Sequence, residues 1–477
     1  MKNLLIYSAI LLFVLIQSEK VFGQTQSNTI AGNWLSTLEF NGMKLRFVLK
    51  VSKAADGSFT AKFDSIDQGA NDLEIDTITQ QGNTVRFEAK KYGMSYEGML
   101  DEKGDEIAGT FKQGTGSQAL IFKRTAEATK VSRPQDPQKP YPYNEEDVVY
   151  ENKTDNVKLA GTLTLPRGEG KYPAVILITG SGGQDRNETV AGHRPFLVLA
   201  DYLSRRGIAV LRVDDRGVGG SSAVSPNSTT ENFAGDVLAG IEFLKTRKEI
   251  IPKQIGLVGH SEGGMIAPMV AVRSKDVAFI VLLAGLGQTG EDVIYTQNEL
   301  LQKADGVAPA IIAQTDILMK KIITILKTEP DDKLTEKLIR EMFANEKSKT
   351  SEAQKASFTA IENAFIPKVP MFTSPWFRYF IAYNPRPTLE KVKIPVLAIN
   401  GEKDLQVAVK ENLDLIAAGL KAGGNKNYTI LPLPNLNHLL QTSKTGKLSE
   451  YDQIEETIAP VALEAISNWI VKQTAKK

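Results

Sequence analysis

Between Gln254 and Gly264 the order of residue types leaves the backbone few choices. Ile255–Val258 is an apolar run with the length of a buried strand. Gly259-His260-Ser261-Glu262-Gly263 breaks it, and Gly264–Val272 restarts with the spacing of a helix. A strand that turns into a helix in so few residues puts Ser261 on a strained turn. Gly259 and Gly263 then stand where side chains would collide with the neighbouring strand or helix. The helix N-terminus points its positive potential at the serine, which suits developing negative charge. The pentapeptide alone is weak, since 38 glycines in 477 residues give about 0.2 chance matches. Its alternative is a glycine-rich turn that only packs a helix on a sheet. What separates the two is whether a base and a carboxylate follow.

A serine hydroxyl needs a base within hydrogen-bond reach to act as a nucleophile. The chain has three histidines, His193, His260 and His438. His260 adjoins Ser261, but a sharp turn sends neighbouring side chains in divergent directions. His193 lies upstream in a loop entering a helix. His438, in Leu433-Pro-Asn-Leu-Asn-His438, sits just past the last strand and opens on the same edge as the turn, which makes it the expected base. The alternative is a surface-loop histidine. The base needs a carboxylate to fix its tautomer. Asn400-Gly-Glu-Lys-Asp404 follows the strand Ile394–Ile399 and offers Asp404, with Glu402 in reserve; the alternative is a turn that caps the next helix. For the oxyanion, one donor is expected from the amide of Glu262. The other is expected from Ser181 or Gly182 in Thr179-Gly-Ser-Gly-Gly-Gln-Asp-Arg186. That loop has no Lys-Ser/Thr pair and does not fit G-x-G-x-x-G, so a phosphate cradle is disfavoured. Asp185, Arg186 and Asp214-Asp-Arg216 read as loop-fixing ion pairs.

Composition narrows the chemistry further. There is no cysteine, so disulfides, thiolate metal sites and a cysteine nucleophile are excluded, and three histidines make a multi-histidine metal site improbable. No metal and no cofactor are expected. Net charge is +1, and removing residues 1–23 takes away Lys2, Lys20 and Glu19 and leaves zero. No field for nucleic acid or an anionic membrane results. Met1-Lys2-Asn3, the apolar Leu4–Ile16 and Val21-Phe22-Gly23 read as an export signal cleaved after Gly23, placing the protein in the periplasm or outside the cell. Thirteen residues make a helix of about 20 Å, short of a hydrocarbon core of roughly 30 Å, so no membrane span remains after cleavage.

Residues 24–128 read as an antiparallel β-domain. Eight strands are predicted, at Trp34–Phe40, Lys44–Ser52, Phe59–Ile66, Leu73–Thr79, Val85–Lys90, Tyr96–Leu100, Ile107–Phe111 and Ala119–Lys123. Asn41-Gly42, Asp56-Gly57, Gly82-Asn83 and Lys103-Gly104 punctuate them. This spacing predicts a small barrel or sandwich, lipocalin-like in outline. Its role reads as either a binding module or an accessory that aids folding or dimerises. Residues 129–144 form a linker, with four prolines between Ser132 and Tyr143.

From 145 to 477 the period changes. Apolar runs at Ala174–Ile178, Ala209–Val213, Ile255–Val258 and Ala278–Leu283 alternate with helices at Phe196–Arg206, Phe233–Lys245 and Gly264–Val272. This is the pattern of an α/β fold, a mostly parallel sheet with helices on both faces. Residues 287–388 interrupt it as a helical insertion that emerges at the C-terminal edge of the sheet, where ligands bind in open α/β folds. It is expected to be a lid with Trp376, Phe377 and Phe380 as an aromatic, substrate-binding lip; the alternative is that these rings pack the insertion on the core.

Ser261, Asp404 and His438 in that chain order, with Gly180-Ser-Gly182 ahead of them, resemble the α/β-hydrolase fold over residues 145–477. Gly-His-Ser-Glu-Gly-Gly, Asp-Asp-Arg-Gly and Gly-Ser-Gly-Gly-Gln-Asp-Arg are similar to lidded bacterial serine esterases related to the dienelactone hydrolase and serine aminopeptidase families. The resemblance implies ester hydrolysis of a small molecule through an acyl-enzyme, without a cofactor. The chain departs from lipases in lacking His-Gly-Gly-Gly, and its β-domain lies outside the resemblance. A peptidase or thioesterase on the same triad remains open. So does a ligand-binding protein with an inert hydrolase fold.

Overall fold

The structure, a computed structural model, describes residues 29–40, 43–54, 56–66, 70–114, 116–125, 133–222, 225 and 227–475. The export-signal segment 1–23 lies outside the described residues, as do residues 129–132 of the linker. The chain divides into two compact units. One is built on a nine-stranded sheet and the other on an eight-stranded sheet.

The nine strands are β1 (Gly32–Phe40), β2 (Met43–Lys53), β3 (Phe59–Ser65), β4 (Ala70–Glu74), β5 (Thr77–Gln81), β6 (Thr84–Ala89), β7 (Met94–Leu100), β8 (Glu106–Gln113) and β9 (Gly116–Thr125). They lie in the order β4-β3-β2-β1-β9-β8-β7-β6-β5. Trp34 on β1 pairs with Arg124 on β9, antiparallel. The sequence suggests one strand over Leu73–Thr79; two are present. Ile75 donates its N–H to Ala61 O on β3 at 3.3 Å, whereas Asp76 donates to Glu88 O on β6 at 2.8 Å. Consecutive residues therefore bond to opposite ends of the sheet, which curls until its edges meet. Inward side chains fill the middle. The Tyr96 ring lies 5.3 Å from Phe87 and 5.2 Å from Phe122, and its hydroxyl is shared between the carbonyls of Ile107 (2.9 Å) and Leu120 (3.0 Å). The outline is barrel-like, but the interior is a packed core.

The second sheet comprises β10 (Tyr143–Asn152), β11 (Val157–Pro166), β12 (Tyr172–Ile178), β13 (Ala209–Val213), β14 (Ile250–His260), β15 (Val277–Leu283), β16 (Val396–Gly401) and β17 (Tyr428–Leu433). Their order is β10-β11-β13-β12-β14-β15-β16-β17. β10 and β11 are antiparallel and the other six parallel. Side chains alternate between two cores. Ala174, Ile176 and Ile178 face one, with α2 (Thr230–Thr246), α3 (Glu262–Ala271) and α11 (Val409–Ala422). Val175 and Leu177 face the other, with α1 (Pro195–Ser204) and α12 (Pro460–Thr474). Each fully buried aliphatic or aromatic side chain contributes about 1.5–3 kcal/mol, so a sheet apolar on both faces needs both helical layers.

Between β15 and β16 the insertion forms α4 (Gly290–Ala304), α5 (Pro309–Thr328), α6 (Asp332–Lys349), α7 (Lys355–Phe365), α8 (Val369–Phe372), α9 (Pro375–Ala382) and α10 (Arg386–Leu389). A chain of rings, Phe343–Phe365 at 5.9 Å, Phe365–Phe372 at 6.3 Å and Phe372–Phe377 at 5.2 Å, runs through it. These join the same apolar cluster as the α2 and α3 face of the sheet. No helix of the described residues is long and apolar enough to cross a membrane.

Candidate active site

Parallel register sets the geometry. His260 pairs with Leu283, Leu283 with Ile399, and Ile399 with Leu431. The loops after β14, β16 and β17 therefore leave the sheet side by side, carrying Ser261, Asp404 and His438. Ser261 has φ 52° and ψ −114°, a non-glycine residue held in a sparsely populated region at a cost of about 1–3 kcal/mol. The flanking glycines explain how the turn closes. A Cβ on Gly259 would lie 2.0 Å from the Gly263 carbonyl oxygen, and one on Gly263 would lie 2.1 Å from that of Ile178.

Asp404 and His438 are buried and joined by Oδ2···Nδ1 at 2.7 Å. The other carboxylate oxygen, Oδ1, accepts the amides of Gln406 and Val407, each at 2.8 Å. Asp404 thus caps the turn with one oxygen and holds the His438 ring with the other. Glu402 is exposed.

The remaining histidines have both ring nitrogens engaged. His193 is buried, with Nδ1 3.0 Å from Thr457 Oγ1 and Nε2 2.8 Å from Tyr451 O. Burial, with Arg133 nearby, pushes it down to about 4. His260 has Nδ1 2.9 Å from Glu188 Oε1 and Nε2 3.0 Å from the His438 carbonyl. Burial alone would lower it, but the charge and hydrogen bond of Glu188 raise it above its ordinary value. Among the described residues, Nε2 of His438 is the one ring nitrogen without a protein partner. The rings of His260 and His438 stand 4.7 Å apart, closer than divergent side chains of a sharp turn suggest.

At the loop after β12, the Gly180 amide donates to Glu188 Oε1 at 2.7 Å. Gly182 has φ +98°. Among the described residues, the amides of Ser181 and Glu262 have no protein acceptor. The buried Glu262 carboxylate accepts from Thr230 Oγ1 at 2.6 Å, from the Trp376 indole at 2.9 and 3.1 Å, and from the Ser181 hydroxyl. Burial pushes this carboxyl up against those bonds. Asp215, half-buried beside the loop, accepts from Thr179 Oγ1 at 2.7 Å and the Gln184 amide at 2.9 Å; desolvation raises it to about 7. Arg186 pairs with Asp214, and Arg216 with Asp155 and Asp236, which fix the flanking turns.

The aromatic lip needs correction. Phe377 is 2% and Phe380 6% exposed, and both belong to the core that packs the insertion on the sheet. Of the three rings, Trp376 reaches toward the Ser261 turn, through Glu262. Glu188 had no sequence signal, because 72 residues separate it from its partner His260. Among the described residues no group of His, Asp and Glu side chains is arranged to hold a metal ion.

Residues 155–432 match the family model of X-Pro dipeptidyl-peptidase, S15 family. The esterase EstD of Thermotoga maritima is 27% identical over 374 residues, 78% of each chain. The chain is also similar in structure to Est1E from Butyrivibrio proteoclasticus, solved with ferulic acid, at 18% identity and TM-score 0.40 over 69% of this chain and all of that one. The esterase Pf2001 of Pyrococcus furiosus gives 16% identity and TM-score 0.41 over 69% of this chain and 91% of its own. With an elbow serine on a mixed sheet and the family match spanning more than half its length, the chain belongs to the X-Pro dipeptidyl-peptidase (S15) family and is a serine hydrolase of the α/β-hydrolase fold.

Proposed function

We propose that the protein is an exported carboxylesterase acting on small-molecule esters through Ser261, His438 and Asp404. The observation that carries this reading is the unpaired Nε2 of His438, whose Nδ1 is locked to a buried carboxylate at 2.7 Å. Asp404 keeps the proton on Nδ1, so Nε2 accepts the Ser261 proton as the hydroxyl attacks the ester carbonyl. The free amides of Glu262 and Ser181 stabilise the tetrahedral oxyanion, with Gly182 letting the backbone approach. His438 returns the proton to the leaving alcohol, and a water then releases the acid by the same route. Trp376 borders the substrate side, and the insertion acts as a lid. Export rests on the signal-like residues 1–23.

The likeness to an esterase over most of both chains supports an ester substrate. The family description favours a second reading, cleavage of X-Pro amides on the same triad. Initial rates on p-nitrophenyl acetate, an acyl thioester and an X-Pro-p-nitroanilide separate them. Ser261→Ala is expected to fold and to lose several orders of magnitude in kcat, along with labelling by a fluorophosphonate. Wild-type turnover by that variant would sink the triad.

A further inference from the structure

The triad leaves a second histidine–carboxylate pair unexplained. Glu188 and His260 are both buried, at 4% and 7% exposure. Glu188 Oε1 takes two hydrogen bonds, from the Gly180 amide at 2.7 Å and from His260 Nδ1 at 2.9 Å. His260 Nε2 faces the His438 carbonyl at 3.0 Å. Gly180 leads into the oxyanion loop and His438 sits in the base loop, so one side-chain pair touches both.

With Glu188 ionised, the chemistry of the partners fixes the charge on His260. A carbonyl oxygen accepts only, and a carboxylate accepts only; a neutral imidazole carries one N–H and one lone pair. Placing that lone pair against either oxygen would set lone pair against lone pair at hydrogen-bond distance. Protons on both nitrogens satisfy both contacts, and Glu188 supplies the counter-charge. Other charged groups lie near the pair: Asp404 beyond His438, and Asp215 beside Glu188, with Glu262 on the far side of Asp215. None of these is a cation.

The backbone is shaped to deliver Glu188. It has φ +53°, unusual for a residue with a side chain. Asp185 holds this turn by accepting the amides of Asn187 at 2.9 Å and Thr189 at 3.0 Å, and the Thr189 hydroxyl at 2.7 Å. Gly180 fits between the pair and the nucleophile, since a Cβ there would lie 3.3 Å from Ser261 Cβ and 3.4 Å from Glu188 Oε1.

We propose that Glu188 and His260 are positioning residues: a buried carboxylate–imidazolium pair that ties the oxyanion loop, through Gly180, to the base loop, through the His438 carbonyl. The proposal rests on the triad reading for its kinetic consequence, but not for the charge state. With the pair intact, the oxyanion amides and the base are held in register. Without it, each loop keeps its fold but loses its reference to the other, and misplacement on the scale of an ångström is enough to slow chemistry by about 100-fold.

Nitrogen-15 labelling of histidine tests the charge state directly, because the chain has only three histidines. At about pH 8, well above the ordinary histidine value of roughly 6.5, one of the three should retain both ring N–H protons in the wild type. Glu188→Gln should abolish that signature. Kinetically, Glu188→Gln and His260→Gln should each lower kcat by about 10- to 100-fold with KM within about threefold. The double variant should be no worse than either single, as expected for residues acting as one unit. Three neutral histidines at pH 8 would overturn the proposal. So would wild-type kcat in Glu188→Gln. If the variants fail to fold, the wild-type spectrum still decides the charge state. A failed Ser261→Ala test removes the triad reading while leaving that spectrum unaffected.

Discussion

Replacing Asp404 by Asn separates orientation from mere burial. In the native protein Oδ1 accepts two amides at 2.8 Å while Oδ2 holds His438 Nδ1 at 2.7 Å. The amide group of an Asn must keep its oxygen toward Gln406 and Val407, because turning its NH2 there would face two donors with donors. The NH2 then points at Nδ1, which can only accept, and the proton moves to Nε2. A protonated Nε2 cannot take the Ser261 proton. The wrong tautomer in a serine triad costs about 10⁴ in kcat, or roughly 5.5 kcal/mol of barrier. Asp404→Ala acts differently, since it strands both amides and the Nδ1 proton, each unsatisfied group costing about 1–3 kcal/mol of stability. Asn should therefore be the more stable of the two variants while being catalytically as poor. Initial rates on p-nitrophenyl acetate, fluorophosphonate labelling rates and urea unfolding of both variants provide the comparison. If Asp404→Asn retained more than about one-tenth of wild-type kcat, the tautomer argument would be refuted.

Two further perturbations probe the surroundings. His193 is buried and lowered to about 4, so the unfolded chain takes up its proton near 6.5 while the folded chain does not; the resulting stability is complete above about 6.5 and lost as pH falls toward 4. The shift corresponds to about 3 kcal/mol, and the stability gap between wild type and His193→Asn, from urea midpoints, should narrow by that amount between pH 7 and 4. A constant gap would refute it. Trp376→Phe removes the indole donor from the Glu262 carboxylate, which also holds the Ser181 hydroxyl; a stability loss of about 1–2 kcal/mol is expected, with kcat falling more than KM changes. An unchanged kcat would show that Glu262 does not organise the oxyanion loop.

The strand–turn–helix at Ser261 is legible in the sequence because most of its physics is local. Gly259 is required by the carbonyl oxygen of nearby Gly263, and the apolar run before it has a strand's length; Gly263 is required instead by the Ile178 carbonyl on the adjoining strand. The alternation of apolar runs and helices likewise reports a two-faced sheet, since each strand carries its own burial pattern. The barrel corner was not legible. Ile75 and Asp76 bond to the strands next to opposite edges of the sheet, yet no glycine or proline marks the break, because the chain needs no unusual backbone there. The aromatic cluster of α9 misled for a different reason. Phe377 and Phe380 have the composition of a binding lip and of a core alike, and only packing against the sheet distinguishes them.

A strand-end position on the same edge as the Ser261 turn points to His438 as the base, and physical occupancy is the stronger argument. Three histidines are buried, and burial alone would make any of them interesting. Two have both nitrogens consumed. His193 is held by Thr457 and Tyr451. His260 is held by Glu188 and the main chain of His438. A base must have a lone pair to offer, and His438 alone keeps a ring nitrogen free of protein partners among the described residues. The same logic explains why two histidine–carboxylate pairs can stand 4.7 Å apart without competing for the serine. In one pair the second nitrogen has no protein partner among the described residues; in the other it meets the main-chain carbonyl of the first.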